Sequence, residues 1–320
     1  MQDPTNSDPN REIKRNRDES IVLPDGTPAS SSREANITER KIERTQEDRE
    51  YVPVIIKRTD ETRRHPDDTL ETAIEEGLEQ LNRSSTSLIL SSIAGGLIVG
   101  FSAMAVAVVE TAALQAHASP LATRLATAFV YPLGFVICVM SGAQLFTEHT
   151  AIALYPVLDR KSSVGKLLRL WAMVIFGNVT GAALGAFLHT LAIEVVAARE
   201  GYISIGHHLT EFTGLTLLVS AILAGWLMAL GAWLAVSSPQ IGSQTLFIYM
   251  VTLLIGIGGL HHSIAGSAEM FAALFLSSEF TVTAAARFIS FALLGNLIGG
   301  SCLVALLNYA HIRRTRSIEP

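Results

Sequence analysis

Gly258-Gly259-Leu260-His261-His262-Ser263 interrupts an otherwise apolar stretch at residues 243–277, and Ser141-Gly142-Ala143-Gln144, continuing through His149, interrupts another at 124–157. Each stretch is too long for one straight membrane crossing, because a helix passes the hydrocarbon core of about 30 Å in about 20 residues. We read each as two half-helices joined by non-helical backbone. Such backbone is tolerated at membrane depth only where protein buries it or where it lines a cavity. Four further apolar segments, about 88–109, 166–197, 211–236 and 282–309, each suffice for one crossing. The reading is an all-α membrane protein of six transmembrane helices, the second and fifth broken.

Composition agrees. Of 320 residues, 49% are hydrophobic and 17% charged, and mean hydropathy is +0.37. The charge is concentrated: residues 1–86 hold 20 acidic and 14 basic side chains, leaving 9 and 10 for the rest. Residues 1–86 also hold one aromatic, Tyr51. A segment that poor in apolar surface cannot offset its conformational entropy, so residues 1–67 are expected to be a disordered cytoplasmic arm. Leu70, Ile74, Leu78 and Leu81 recur at helical spacing and predict an amphipathic helix in 68–86, either lying on the membrane face or packed on neighbouring protein. The transmembrane domain then covers 87–310 and a cytoplasmic tail 311–320. A net charge of −5 argues against nucleic acid as a partner. Cys138 and Cys302 lie in apolar runs and read as small core residues.

Short loops set the orientation. Arg160, Lys161 and Lys166 follow the second segment and Arg313, Arg314 and Arg316 follow the sixth, which puts both termini in the cytoplasm of a cell (inner or plasma) membrane protein. An internal repeat is also legible. Gly177-Asn178-Val179-Thr180-Gly181 recurs 118 residues later as Gly295-Asn296-Leu297-Ile298-Gly299, and the same offset carries Arg169 onto Arg287 and Gln144 onto His262. Three helices followed by three related ones must run in opposite senses, a 3+3 inverted repeat whose binding site lies near the midplane where the broken helices meet. Gly177, Asn178, Gly181, Gly295, Asn296 and Gly299 are read as close-packing positions.

A half-helix that starts at the midplane presents backbone N–H groups and the positive end of its dipole. Two such starts favour a small anion or weak acid over a metal cation. His261 and His262 lie in the second break, and histidine at membrane depth is a functional candidate with an ordinary pKa of about 6.5. It could pass a proton to an entering carboxylate, which would then cross as the neutral acid. Adjacent positions face different ways, so one of the two rings is expected to reach the pore. Thr147 offers a hydroxyl to the same centre. Leu145 and Phe146 form a candidate gate, and Tyr131 and Phe135, spaced i,i+4, are candidates to face the same channel. No nucleophile paired with a base and no phosphate loop points to an enzyme, and no cofactor is called for. A metal set drawn from His261, His262, His149 and Glu269 would work against the helix dipoles.

With these residues in hand, residues 88–310 resemble the formate/nitrite transporter family. Ser141-Gly142-Ala143-Gln144-Leu145-Phe146-Thr147 is similar to its GAxLFT signature, Phe176-Gly177-Asn178 to its FGN motif, and Gly259-Leu260-His261-His262-Ser263-Ile264-Ala265 to its G-F-E-H-S-I-A stretch. The resemblance implies a homopentamer of aquaporin-like protomers in the lipid bilayer, each passing small monovalent anions such as formate or nitrite. It implies His262 as the central pore histidine, Thr147 as its facing threonine, Leu145 and Phe146 as the cytoplasmic constriction, and Tyr131 and Ile255 at the opposite one. The chain departs from the family where His261 replaces a glutamate, Gly266 and Gly225 replace asparagines, and His207, His208 and Leu209 stand where a lysine is expected. With those groups gone, a channel for water or another neutral small solute is the alternative on the same fold.

Overall fold

The computed structural model describes residues 64–315. All but the last four residues of the expected disordered arm, and residues 316–320 of the tail, lie outside the described residues. The described chain is helical, without strands. Its elements are α1 (Pro66–Asn82), α2 (Ser85–Gln115), α3 (Pro120–Val130), α4 (Pro132–Met140), α5 (Phe146–Ile152), α6 (Tyr155–Leu158), α7 (Val164–Leu191), α8 (Ile193–Val196), α9 (Arg199–Glu211), α10 (Gly214–Val236), α11 (Ile241–Gly258), α12 (Ser263–Leu276) and α13 (Val282–Gly300). A π-helical turn, Ser301–Leu306, and α14 (Leu307–Thr315) complete it. Six spans are long and apolar enough to cross a membrane: Ser85–Gln115, Pro120–Met140, Val164–Leu191, Gly214–Val236, Ile241–Gly258 and Val282–Arg313.

The inverted repeat is visible in the packing. α2 lies along α7 in the first half and α10 along α13 in the second. Small residues make both contacts possible. A Cβ on Gly181 would sit 2.1 Å from the Ile93 carbonyl oxygen, and one on Gly299 2.1 Å from that of Ile222. In lipid, where no hydrophobic effect drives helices together, such close backbone approach supplies the van der Waals contact that does. Gly177 meets Ser92 and Gly295 meets Ala221 one turn away on the same faces.

The asparagines of these motifs do something other than pack. Asn178 Oδ1 accepts the Phe146 N–H at 2.9 Å, and its Nδ2 donates to the carbonyls of Ser92 and Gln144, both at 2.8 Å. Asn296 repeats the arrangement: Oδ1 accepts the Ser263 N–H at 2.7 Å, and Nδ2 donates to Ala221 at 2.8 Å and His261 at 3.1 Å. Each carboxamide thus satisfies the first amide of one half-helix and the carbonyl of the break's next-to-last residue. These bonds pair Gln144 with His261 and Phe146 with Ser263, an offset of 117. The sequence register of 118, with Gln144 on His262, is therefore one residue out at the breaks. Gly259, at φ +59°, turns the chain out of α11 in the left-handed region that glycine enters without strain.

The half-helices that follow the two breaks are unequal in length. α5 has seven residues before α6 takes over, whereas α12 has fourteen. α1 packs on protein, with Leu70, Ile74 and Leu81 buried against neighbours that include α5, α6 and α10. α9 was not foreseen, because its mixture of charged, polar and apolar residues carries no membrane signal. Arg169 donates to Arg83 O at 2.9 Å and Ser85 Oγ at 3.0 Å and ties α7 to the α1–α2 junction, while Arg287 is exposed. The arginine pair of the repeat has no shared role.

Two predictions follow from these contacts. Asn178→Ala or Asn296→Ala deletes three buried hydrogen bonds and strands their partners in a region without water, costing about 2–4 kcal/mol. The melting temperature of the detergent-purified protein should fall in both, and an unchanged value would mean that packing alone holds the breaks.

Asp159, in the loop before α7, accepts from Lys161 Nζ at 2.8 Å, Arg313 Nη2 at 2.8 Å and the Tyr309 hydroxyl at 3.1 Å. Burial pushes its carboxyl up, but the two cations outweigh that and hold it below the usual carboxylate range. A lowered folded-state pKa gives stability that is present above the unfolded value of about 3.9 and lost as pH falls through the folded one. The melting-temperature gap between wild type and Asp159→Asn should be widest near neutrality and close on acidification. A gap that persists in acid would rule out the charge account.

Candidate functional site

His262 is the N-cap of α12, in extended conformation at φ −89°, ψ 130°. Its Nδ1 accepts the N–H groups of Ile264 at 3.3 Å and Ala265 at 3.2 Å. An accepting Nδ1 carries a lone pair, so the imidazole is the neutral tautomer with its proton on Nε2. That Nε2–H points at Thr147 Oγ1, 3.0 Å away. Thr147 is the second residue of α5 and fully buried. The two breaks therefore meet through one hydrogen bond, across 115 residues of sequence. Its geometry leaves the threonine hydroxyl proton free to donate elsewhere. Phe135 packs edge-on against the His262 ring with centroids 4.9 Å apart, and Tyr131 lies 5.2 Å beyond Phe135.

A cavity of about 410 Å³ opens above His262, at the end of α2 remote from α1. Tyr131, Ile255 and His262 line its deep part, together with Glu269. The walls come from α2 (Val106, Glu110), α3 (Arg124, Thr127) and α9 (Ser204, Ile205, His208). Phe135, Leu145 and Phe146 are absent from this lining. All three are fully buried in the same apolar cluster as Tyr131 and Ile255.

His261 points away from the cavity. Its Nδ1 lies 2.7 Å from Ser220 Oγ on α10, and its ring stacks on His208 at 5.5 Å with 12° between the planes. His149 is buried with both ring nitrogens lacking partners among the described residues, and its carbonyl accepts the Trp171 indole N–H. Glu148 occupies the first turn of α5, where an acid complements the dipole.

One expectation needs correction. The half-helix tips do not present a row of free amides. At α12 the first three N–H groups are taken by Asn296 Oδ1 and His262 Nδ1, and at α5 Asn178 takes the first. Among the first amides of both half-helices, only that of Thr147 has no acceptor in the described protein. The physical reason is the medium: an orphan amide in the hydrocarbon layer costs several kcal/mol, so the chain supplies caps, and what reaches the centre is side-chain donors backed by the dipoles.

Sequence reading singled out His262, Thr147, Tyr131 and Ile255, which the structure places around one centre. It did not foresee Glu110, Arg124, Ser204 or His208 as walls, because they come from a loop-flanking helix end and from α9. It considered Glu269 only as a metal ligand. A signal was available, since Glu269 follows His262 by seven residues, two turns along one face of α12.

Comparison with known proteins agrees with the architecture. The family model described as Formate/nitrite transporter matches residues 67–310. The inner membrane protein YfdC of Escherichia coli K12 is 31% identical over 247 residues, covering 76% of this chain and 77% of that one. The formate channel FocA of the same organism is 26% identical over 206 residues, covering 57% and 72%. Two solved structures share the fold. An FNT family ion channel superposes with a TM-score of 0.69 at 19% identity, covering 76% of this chain and 98% of that one. A pentameric formate channel with formate bound gives 0.60 at 21%, covering 72% and 98%. Six apolar spans, two midspan breaks locked by matching asparagines and an aquaporin-like inverted repeat are thus joined to a family match over most of the length, and the chain is a multi-pass membrane protein that belongs to the formate/nitrite transporter family.

Proposed function

We propose that this protein passes small monovalent anions or their weak acids, such as formate or nitrite, through a pore in each protomer of a homopentamer. The observation that carries the reading is the His262 Nε2–H against Thr147 Oγ1 at the floor of the cavity. The two groups form a compact donor site with no fixed positive charge. A monovalent anion inserting between them accepts from Nε2–H and from the threonine hydroxyl in place of the existing bond. Helix dipoles from both halves add favourable potential at the same point. A neutral donor pair binds weakly enough to release, as conduction requires. FocA, a relative, is named a formate channel, and a structural neighbour is a pentameric formate channel with formate bound.

Tyr131 and Ile255 form the neck on the cavity side, with Phe135 bracing the imidazole, and Leu145 and Phe146 form the neck on the other. Both necks are apolar, so an anion crosses them at a large desolvation cost and a neutral acid at a small one. The finer reading is that an anion held at His262 by Nε2–H takes a proton from the solution of the cavity, the imidazole keeping its own, and enters the second neck as the neutral acid. By the positive-inside distribution of the loops, the cavity opens to the outer face and α1 lies at the cytoplasmic one.

Uptake of formate and nitrite by proteoliposomes tests this. His262→Ala should lower flux by about tenfold or more, the worth of a lost hydrogen bond to a charged group, and flatten its dependence on the proton gradient. Equal, equally pH-dependent flux in wild type and variant removes the histidine role. Flux of uncharged solutes alone replaces the anion reading with a neutral-solute channel.

A further inference from the structure

Glu269 is the feature of the cavity that an anion pathway does not explain. It lies on α12 seven residues after His262, about 10 Å along the helix axis and on the same face. It is 6% exposed, and what exposure it has is to the cavity that ends at His262. Among the described residues no hydrogen bond or ion pair reaches its carboxyl. Glu110, the other acid of the cavity, accepts from Ser204 Oγ at 2.8 Å. Arg124, the cavity's guanidinium, forms no ion pair with either acid and closes with His208 over Gly259. An intramembrane carboxyl without a partner is expensive to keep and points to a functional role.

The groups facing Glu269 from the packed elements leave it without a resident counter-ion. α2 contributes Glu110 and α3 contributes Arg124, at the wall. α9 contributes His208 and Tyr202, whose hydroxyl is engaged by His189 of α7 at 3.3 Å. Tyr131 lies within reach of its field, and His262 is spoken for at both ring nitrogens. On α13, Arg287 is exposed.

Resting on the anion reading above, we infer that Glu269 is a charge filter: its neutral carboxyl admits an anion to His262, and its carboxylate repels one. The only chemical step is a proton exchanged between a carboxyl oxygen and water of the cavity. The filter acts by field alone and lies outside the hydrogen-bonded centre. At a separation of about 10 Å and the effective dielectric of a protein, one negative charge changes anion occupancy by about tenfold.

The test is uptake of isotope-labelled formate by proteoliposomes, scanned from about pH 5 to about pH 9, a range over which formate in solution stays ionised. Wild-type uptake should fall as pH rises, both from loss of the co-transported proton and from ionisation of the carboxyl. Glu269→Gln should fall less steeply across the scan, exceeding wild type by about tenfold at the alkaline end. Glu269→Met, uncharged and apolar, should match the glutamine variant, which keeps the test decisive if either alone folds poorly on gel filtration. Identical pH profiles in wild type and both variants overturn the filter while leaving anion transport intact. Ammonium current that grows with pH and disappears in Glu269→Gln overturns it in favour of a cation site. Absence of formate uptake in a folded wild-type pentamer overturns the anion reading and the filter together.

Discussion

Everything at the centre of this protein depends on how two interrupted helices satisfy their backbone in a medium without water. Non-helical backbone at that depth survives only when each exposed N–H and C=O finds a partner. Here one asparagine per repeat does this, accepting the leading amide of the second half-helix and donating to the carbonyl of the break's next-to-last residue. A carboxamide suits the task because it carries one acceptor and two donors on a short, neutral arm. The glycines flanking each asparagine bring the neighbouring helix close enough for its second donor to reach a carbonyl there. The GNxxG motif is thus a combined device, with glycines setting distance and asparagine fastening the break.

The same constraint defines His262. Once Asn296 has taken the Ser263 amide, two more at the start of α12 still need acceptors, and His262 Nδ1 supplies both. Capping commits that nitrogen and leaves Nε2–H as the only ring donor, so the need to close a helix end in lipid also orients the donor toward Thr147. In the first repeat no side chain among the described residues does the equivalent work at Thr147, whose amide has no acceptor among them. The halves share a frame and differ in what it holds, one a ring and the other a hydroxyl.

How far sequence reading went follows from the kind of signal each feature carries. The six crossings and both breaks were legible, because hydropathy is summed over about 20 residues and polar interruptions stand out against it. The repeat was legible from GNxxG, although its register at the breaks was one residue out: a loop absorbs a shift that a helix cannot, and only the hydrogen bonds of Gln144 and His261 fix it. His262 and Thr147 could be named, since polar residues at midspan are few. His261 could not be sorted from His262 until backbone geometry turned one ring to Ser220 and the other to Thr147. The cavity walls were the least legible. α9 joins polar and apolar residues in one short helix, and its role comes from where α2 and α12 hold it. The role of the asparagines was hidden for a similar reason, as capping at a distance leaves no local pattern.

The ends of the pore do not share the symmetry of its middle. At one end α9 walls a cavity that carries Glu110, Arg124, His208 and Glu269, and at the other α1 packs over α5, α6 and α10. A site of neutral donors at the centre has little preference for the side from which a permeant arrives. Discrimination must then come from what each end does to charge and water. A cavity of about 410 Å³ extends to the imidazole at this end, so a titratable group on its wall answers to the solution on that side. The helices at the opposite end bury Leu145 and Phe146 completely, so that end answers to polarity alone. On the reading proposed above, a permeant that is charged on one side of His262 and neutral on the other suits both ends, and this asymmetry, more than the central pair itself, is where a divergent member of the family can set its own substrate.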